Sequence, residues 1–571
     1  MRDRKASIKS HRRLLANGGP KTVADIVRTA EKLYGDSIAF RELWGSEPAV
    51  YSYKRLARDI DSLGPALEQK GFGGKHIAIL GENSYYWIVA NLTAMLMGVA
   101  IPMDKELKPD TVELLLNRSH ADAIICSENY REMALELSKK LEKPVQVICW
   151  GAKDSENLLT LESLLEHEGT GKFLSRTRDP EKLSAIIFTS GTTGANKGVM
   201  LSQKNICANV RSITMTIPVE GPSFSVLPMN HAFEFNCHVL PAIFFGVELY
   251  INSGLKYLMR NFKKYSPGMA VVVPLFVDEI YAGIIAQAKR EGKYNKLMTA
   301  VTLSDGLRKV GIDLRRKIFR EVLDNFGGEL RLLVCGGAPI NPVSAKGLES
   351  FGIDIIPGYG ITECSPLVSA DVARHPKMSA VGKAVAGVEI KIDSPDSSGE
   401  GEILVRGDNV ALGYFEDDGG NSVYLPDGWF CTGDIGKLDP SGRLYITGRK
   451  KNLIVLENGK NVHPEEIESA VLEEIDYIRE LVVHEKTVTR GEKRTGCIAA
   501  TISLKPDCPV AAMPMEERNA AVIADVKRVN KRLSSYKRIS LVTVLLDEFE
   551  KTTTHKVIRD RAIKEDAYIS I

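Results

Sequence analysis

Between His76 and Gly360 the chain returns eight times to one form: a short apolar run, poor in charge, separated from the next by a longer stretch. The runs are HIAILGEN, ADAIICS, VQVICW, AIIFTSG, FSVLPMN, MAVVVPL, LRLLVCGG and IDIIPGYG. A strand with one wet face would alternate polar and apolar residues. These mostly do not, so both faces are expected to be buried. Buried strands separated by helix-length segments predict parallel sheets with helices on their faces. The uncharged stretch from Asn83 to Met103 is almost long enough to cross a bilayer. Asn83, Asn91 and Thr93 are polar, however, and Gly98 and Pro102 interrupt the run. It therefore reads as a buried helix followed by a buried strand.

The pattern changes after Asp371. GVEIKI, GEILVRG and GRLYITG are separated by Gly, Pro and Asp, as in antiparallel β structure. After Gly448 a small α/β unit begins. Pro464 opens a helix in which Ile467, Ala470 and Val471 share a face. A second helix is expected to carry Val522, Val526, Val529 and Leu533 on its buried stripe. A chain of 571 residues exceeds one compact core. The predicted class is α/β: a large N-terminal domain of parallel sheets with a small β subdomain, then a small, mobile C-terminal α/β domain. The expected boundaries are a basic arm over 1–20, a large domain over 21–449 and a small one over 450–571. Lys and Arg total 75 against 73 Asp and Glu, a net +2, so no global field favours nucleic acid. The basic N-terminal stretch lacks the apolar core of a signal peptide. Nine cysteines without a CxxC pair fit a reducing cytosol.

Chemistry concentrates in Thr189-Ser-Gly-Thr-Thr-Gly-Ala-Asn-Lys197-Gly198, directly after the strand AIIF. Gly191 and Gly194 let the backbone turn its N–H groups toward a phosphate chain. The hydroxyls of Thr189, Ser190, Thr192 and Thr193 add donors, and Lys197 adds a cation. The spacing is not that of the common P-loop, because Asn196 precedes the Lys and Gly198 follows it. In Gly358-Tyr359-Gly360-Ile-Thr362-Glu363, glycines allow close backbone approach and Tyr359 offers an aromatic face. Thr362 offers a hydroxyl to a phosphate, and Glu363 offers oxygen to Mg²⁺.

These ordered motifs resemble the adenylate-forming superfamily of acyl-CoA synthetases, luciferases and peptide-synthetase adenylation domains, from about residue 50 to about 565. The form Glu457-Asn-Gly-Lys-Asn-Val-His-Pro-Glu is closest to long-chain fatty-acid–CoA ligases. The resemblance implies further roles. Gly336-Gly337-Ala338-Pro339 would frame adenine and the inner end of an acyl pocket. Asp434 and Arg449 would hold the ribose side of the nucleotide. Lys451 would be the hinge of the small domain. Glu363 and Thr192 would hold Mg²⁺. Lys556 would be the catalytic cation, with Lys197, Thr362 and Glu363, although Glu550 and His555 replace the commoner Pro and Gly of that loop. His231 and Phe235 would line the acid pocket. The apolar HVLPAIFFGVELYI that follows favours a fatty acid, and Glu234 is the one carboxylate there that could pair with an amine.

The resemblance implies ATP-dependent formation of an acyl adenylate, release of pyrophosphate, and transfer to coenzyme A. Transfer to an acyl carrier protein is the alternative, and a non-catalytic nucleotide-binding or acyl-binding protein is the alternative of another class. Lys527, Arg528, Lys531, Arg532, Lys537 and Arg538 form a basic cluster. It suits coenzyme A phosphates, an acidic carrier or anionic lipid at the inner membrane face. Chain length, oligomeric state and the role of the N-terminal arm stay open at this point.

Overall fold

The computed structural model describes residues 13–16, 18–43, 47–152, 158–167, 171–190, 196–219, 221–252, 254–373, 376–416, 420–456, 460–490, 493–551, 557–564 and 567–571. The chain divides into two compact units. One comprises Met1–Ile390, Val405–Phe430 and Asp439–Leu444; the other comprises Lys391–Leu404, Cys431–Leu438 and Tyr445–Ile571.

The first unit is built on two sheets. One has the order Gly413–Tyr414, Asn196–Ser202, Leu183–Ser190, Val99–Met103, His76–Leu80, Ala123–Ser127, Gln146–Trp150 and Leu159–Thr160. From Leu183–Ser190 onward its neighbours are parallel. The two strands at the other edge run antiparallel. The second sheet has the order Lys383–Ala384, Leu367–Ala370, Asp354–Gly360, Leu332–Cys335, Met269–Val272, Ser223–Ser225, Leu249–Ile251, Ile38–Glu42 and Ala49–Ser52. It is parallel through its middle and antiparallel at both ends. All eight apolar runs thus become strands of parallel-cored sheets.

The uncharged stretch folds as read. Ser84 caps the helix Tyr85–Met97 by accepting the Trp87 N–H, and the strand Val99–Met103 that follows is buried throughout. Gly98 is required between them, because a Cβ there would lie 2.2 Å from the Lys75 carbonyl oxygen. Among the described residues no helix is long and apolar enough to cross a membrane.

Most residues of a four-stranded sheet belong to the second unit: Val388–Asp393, Gly401–Gly407, Phe430–Leu438 and Leu444–Arg449, in that order. A second sheet there has the order Ile478–Arg490, Lys493–Leu504, Ile539–Leu545 and Ile569–Ser570. The helix Pro464–Glu474 buries Ile467 and Val471, with Ala470 half-buried beside them. The later helix ends at Asn530, earlier than its apolar spacing suggests. Val522, Val526 and Val529 are buried on it. Leu533 lies beyond it, in a turn whose N–H donates to the Asn530 carbonyl, and still packs on the same core. Asn530 itself ends the helix: its side chain is buried and exchanges hydrogen bonds with the backbone of Ile539.

Candidate functional site

The antiparallel strands Leu183–Ser190 and Asn196–Ser202 bring Thr189 opposite Lys197 and Phe188 opposite Gly198. The tip between them, with Gly191, Thr192, Thr193 and Gly194, lies outside the described residues, as does the side chain of Ser190. Gly198 is fixed by packing: a Cβ would sit 2.9 Å from Ile186 Cγ2. The edge strand Gly413–Tyr414 pairs with this hairpin, Tyr414 opposite Val199. That pairing sets the Lys197 ammonium 4.6 Å from the centre of the Tyr414 ring, a cation–π contact. The Tyr414 hydroxyl donates to Glu363 Oε1 at 2.8 Å.

Glu363 sits on the 3₁₀ turn Thr362–Cys364. The buried Asn409 amide holds that turn, donating to the carbonyls of Cys364 (2.9 Å) and Leu367 (3.0 Å). The Ala411 N–H donates to the Glu363 carbonyl at 2.8 Å. The phosphate-loop lysine and the acidic residue of the second motif therefore share one tyrosine. Neither Tyr414 nor Asn409 stood out in the sequence. The Asn-Val-Ala-Leu-Gly-Tyr run after GEILVRG carries the signal, but its meaning depends on pairing with a strand about 200 residues earlier.

Three other motif segments converge at a second point. A Cβ on Gly336 would lie 3.1 Å from Phe233 Cζ and 3.3 Å from the Gly358 carbonyl oxygen. A side chain at 336 would crowd both, so glycine favours the close approach of the turn after Leu332–Cys335. Gly337 follows with φ +88°, and Gly337, Ala338 and Pro339 are exposed at the carboxyl end of that strand. Ligands of open α/β sheets gather at such ends. Gly358 and Tyr359 pair with Ala370 and Ser369, and the Tyr359 side chain is buried.

Beneath this point lies a partly open apolar pocket. Gly358, Cys335, Phe233, Ala242, Phe245 and Ile213 are among its lining residues. Burial raises the Cys335 and Cys237 thiols well above their ordinary range, so neither lining cysteine supplies a thiolate. The polar lining is Ser223 and His238. His238 bonds to Ser223 Oγ through Nε2 (2.5 Å) and to Glu234 Oε1 through Nδ1 (2.9 Å). Ser225 donates to the same Glu234 oxygen at 2.6 Å. Glu234 is wholly buried and is not among the residues lining the cavity, so it is not presented to a substrate amine. His231 directly precedes the short helix Ala232–Glu234 without capping it through its side chain, and its Nε2 lies 3.7 Å from Asp104 Oδ2. Phe235 packs edge-on against Trp87 and lines a separate, smaller pocket; Phe233 lines the apolar one.

In the second unit, Arg449 Nε lies 3.1 Å from Asp434 Oδ1, so the two residues assigned to ribose meet. The Asp434 turn is braced by Thr432, which accepts the Asp434 N–H and donates to the Ile403 carbonyl. Lys451 lies on the 3₁₀ turn Lys450–Asn452, whose Lys450 pairs with Glu402. Lys556 lies outside the described residues, and so does Glu457. The basic cluster is partly neutralised within its own unit: Arg528 and Arg532 both pair with Glu474, and Lys537 pairs with Glu466. Among the described residues no group of three His, Cys, Asp or Glu side chains could hold a metal.

The AMP-binding enzyme family matches residues 27–415, and the AMP-binding enzyme C-terminal domain matches residues 451–568. Long chain acyl-CoA synthetase 6, peroxisomal, of Arabidopsis thaliana is 27% identical over 88% of this chain and 78% of its own. The long-chain-fatty-acid–acyl-carrier-protein ligase AEE15, chloroplastic, of the same plant is 26% identical over 84% and 76%. The ATP-bound MatB of Rhodopseudomonas palustris superposes with a TM-score of 0.73 at 21% identity, over 94% of this chain and 97% of that one. At that identity the likeness speaks for the fold.

Proposed function

The chain belongs to the AMP-binding enzyme family, and we propose that it activates a fatty acid with ATP and passes the acyl group to coenzyme A. The observation that carries this reading is the junction at Gly336, Phe233 and Gly358, where an apolar cavity abuts the motif assigned to the nucleotide. The relatives named as long-chain acyl-CoA synthetases support the same choice of substrate.

In the first half-reaction a carboxylate oxygen of the fatty acid bonds to the α-phosphorus of ATP. The bond to the bridging oxygen breaks, and pyrophosphate leaves. The protein supplies position and charge rather than a nucleophile. Lys197 and Lys556 offset the negative charge that gathers on the phosphate oxygens, and Thr362 donates to them. Tyr414 holds both Lys197 and Glu363 in place. A single carboxylate without a protein cage suits Mg²⁺, which binds through one or two carboxylates plus substrate phosphates. Glu363 would hold it, with Thr192 as the second donor, and the ion would neutralise phosphate charge. Asp434 and Arg449 hold the ribose. In the second half-reaction the small domain turns about Lys451, the coenzyme A thiol releases its proton to solvent, its sulfur bonds to the acyl carbon, the bond from that carbon to the AMP phosphate oxygen breaks, and AMP leaves.

The acceptor has a second reading, a carrier protein, supported by the relative named as an acyl-carrier-protein ligase. The test is a pair of assays. Pyrophosphate exchange should depend on added fatty acid, and apparent affinity should rise with chain length by ~0.8 kcal/mol per buried methylene until the cavity fills. Acyl transfer should then be measured to coenzyme A and to carrier protein side by side. An optimum at acetate or at an amino acid refutes the fatty-acid reading; transfer to carrier protein alone replaces coenzyme A as acceptor.

A further inference from the structure

The segment 289–320 holds ten Lys and Arg against three Asp and Glu, a net +7 in a chain whose total is +2. It forms the end of the helix Pro274–Arg290, the helix Tyr294–Lys309, and the short helix Arg315–Ile318 with its flanks. The helix Tyr294–Lys309 fully buries only Ser304.

Not all of this charge faces water unspent. Arg315 pairs with Asp313 and Asp354, and Arg316 donates to three backbone carbonyls. Lys293 pairs with Glu291, Arg308 with Asp305, and the largely exposed Arg320 with Asp324 at 4.0 Å. Lys289, Arg290, Lys296, Lys309 and Lys317 have no carboxylate within ion-pair distance among the described residues, and all five are exposed.

Large apolar side chains are exposed among these cations. Leu303 is 62% exposed, Val310 73%, Ile312 48%, Leu314 40% and Ile318 38%. Five of the 23 large apolar side chains exposed among the described residues thus fall within 16 residues. Leu303 lies on the helix Tyr294–Lys309 and Val310 directly follows it, while Leu314 directly precedes the short helix that Ile318 ends. Such a concentration on a soluble surface marks an interaction site.

We propose that the 289–320 face docks this enzyme on a bilayer surface rich in anionic lipid. Lysines interleaved with aliphatic side chains match the boundary between headgroups and acyl chains: the cations meet lipid phosphates, and the aliphatic tips enter the boundary layer. Tyr294 and Arg290 in the same segment are exposed and have planes that stack on bases, but a nucleic acid would leave the exposed Val, Ile and Leu side chains in water, whereas a bilayer covers them. The inference goes beyond the reaction and does not depend on which acyl acceptor is used. It moves the lipid contact away from the basic cluster at 527–538, where Glu474 and Glu466 already take up three of the charges.

The test is co-sedimentation of the full chain with phosphatidylcholine vesicles, with and without about one-third phosphatidylglycerol. Binding should favour the anionic vesicles and weaken as salt rises. The triple variant Lys309→Glu/Lys317→Glu/Arg320→Glu should bind them about 100-fold less tightly. Leu303→Ser/Val310→Ser/Ile312→Ser should lose the binding that persists at high salt. Both variants should retain pyrophosphate exchange with a short, soluble fatty acid, which checks folding. Lys527→Glu/Lys531→Glu should leave vesicle binding unchanged. The proposal is overturned if wild type ignores anionic vesicles, if the 527/531 variant loses binding and the 309/317/320 variant keeps it, or if the same face binds an oligonucleotide more tightly than lipid.

Discussion

Tyr414 joins the two charged groups that the sequence motifs supply separately: its hydroxyl donates to Glu363 Oε1 at 2.8 Å while its ring lies 4.6 Å from the Lys197 ammonium. The tyrosine acts through its neighbours, so it is a positioning residue. Tyr414→Phe keeps the ring and removes the donor. Pyrophosphate exchange should fall about tenfold, consistent with ~1.4 kcal/mol for one hydrogen bond to a charged group. The Mg²⁺ concentration for half-maximal rate should rise, because Glu363 loses its orientation. Tyr414→Leu should cost more, since the cation–π contact also goes. A normal Mg²⁺ profile in Tyr414→Phe would show that the hydroxyl does not position Glu363.

Glu234 is wholly buried and accepts from both Ser225 and His238, so its role is structural. Glu234→Ala leaves two buried donors without their acceptor. Thermal unfolding should report a loss of about 2–4 kcal/mol. Activation of amino acids should be as weak in wild type as in the variant. Appreciable amino-acid activation that vanishes in Glu234→Ala would instead make Glu234 an amine partner.

Lys556 should serve the first half-reaction alone. Lys556→Ala should slow adenylate formation by about 10²-fold or more, the scale for losing a principal charge stabiliser. It should still convert supplied acyl adenylate and thiol to thioester. Equal losses in the two half-reactions would remove Lys556 from the proposed role.

Asp313 predicts a small acid-sensitive contribution to stability. Its carboxylate takes Arg315 Nε at 2.9 Å and Nη2 at 2.8 Å, and these hydrogen bonds hold its pKa down to about 2. A depressed carboxyl stabilises the fold above its unfolded pKa near 3.8 and loses that contribution as pH falls toward 2. Half of the side chain is exposed, so screening limits the contribution to about 0.5–1 kcal/mol. Asp313→Asn should lower stability by that amount at pH 7 and by almost nothing near pH 2. Denaturant unfolding at both pH values would measure it; an equal difference at the two would exclude the ion pair as the cause.

The α/β class, the strands from His76 to Gly360 and the helix–strand pair inside the uncharged stretch were legible in the residues themselves. Each depends on local periodicity and on glycines whose constraint is a few residues wide, as at Gly98. The order of the motifs along the chain was legible for the same reason. The bond from Tyr414 to Glu363 was not, because it spans 51 residues and exists only when the Gly413–Tyr414 strand adds to the edge of the hairpin that carries Lys197. Asn409 under the Glu363 turn is hidden in the same way. Glu234 reads in sequence as a spare carboxylate beside an apolar run; sheet neighbours Ser223 and Ser225, with His238 one turn on, make it part of the core wall. Likewise the basic residues of 527–538 look equivalent in sequence to those of 289–320. Only packing shows which meet Glu474 and Glu466 and which stand among exposed aliphatic side chains, since a charge's partners are set by what the fold brings beside it.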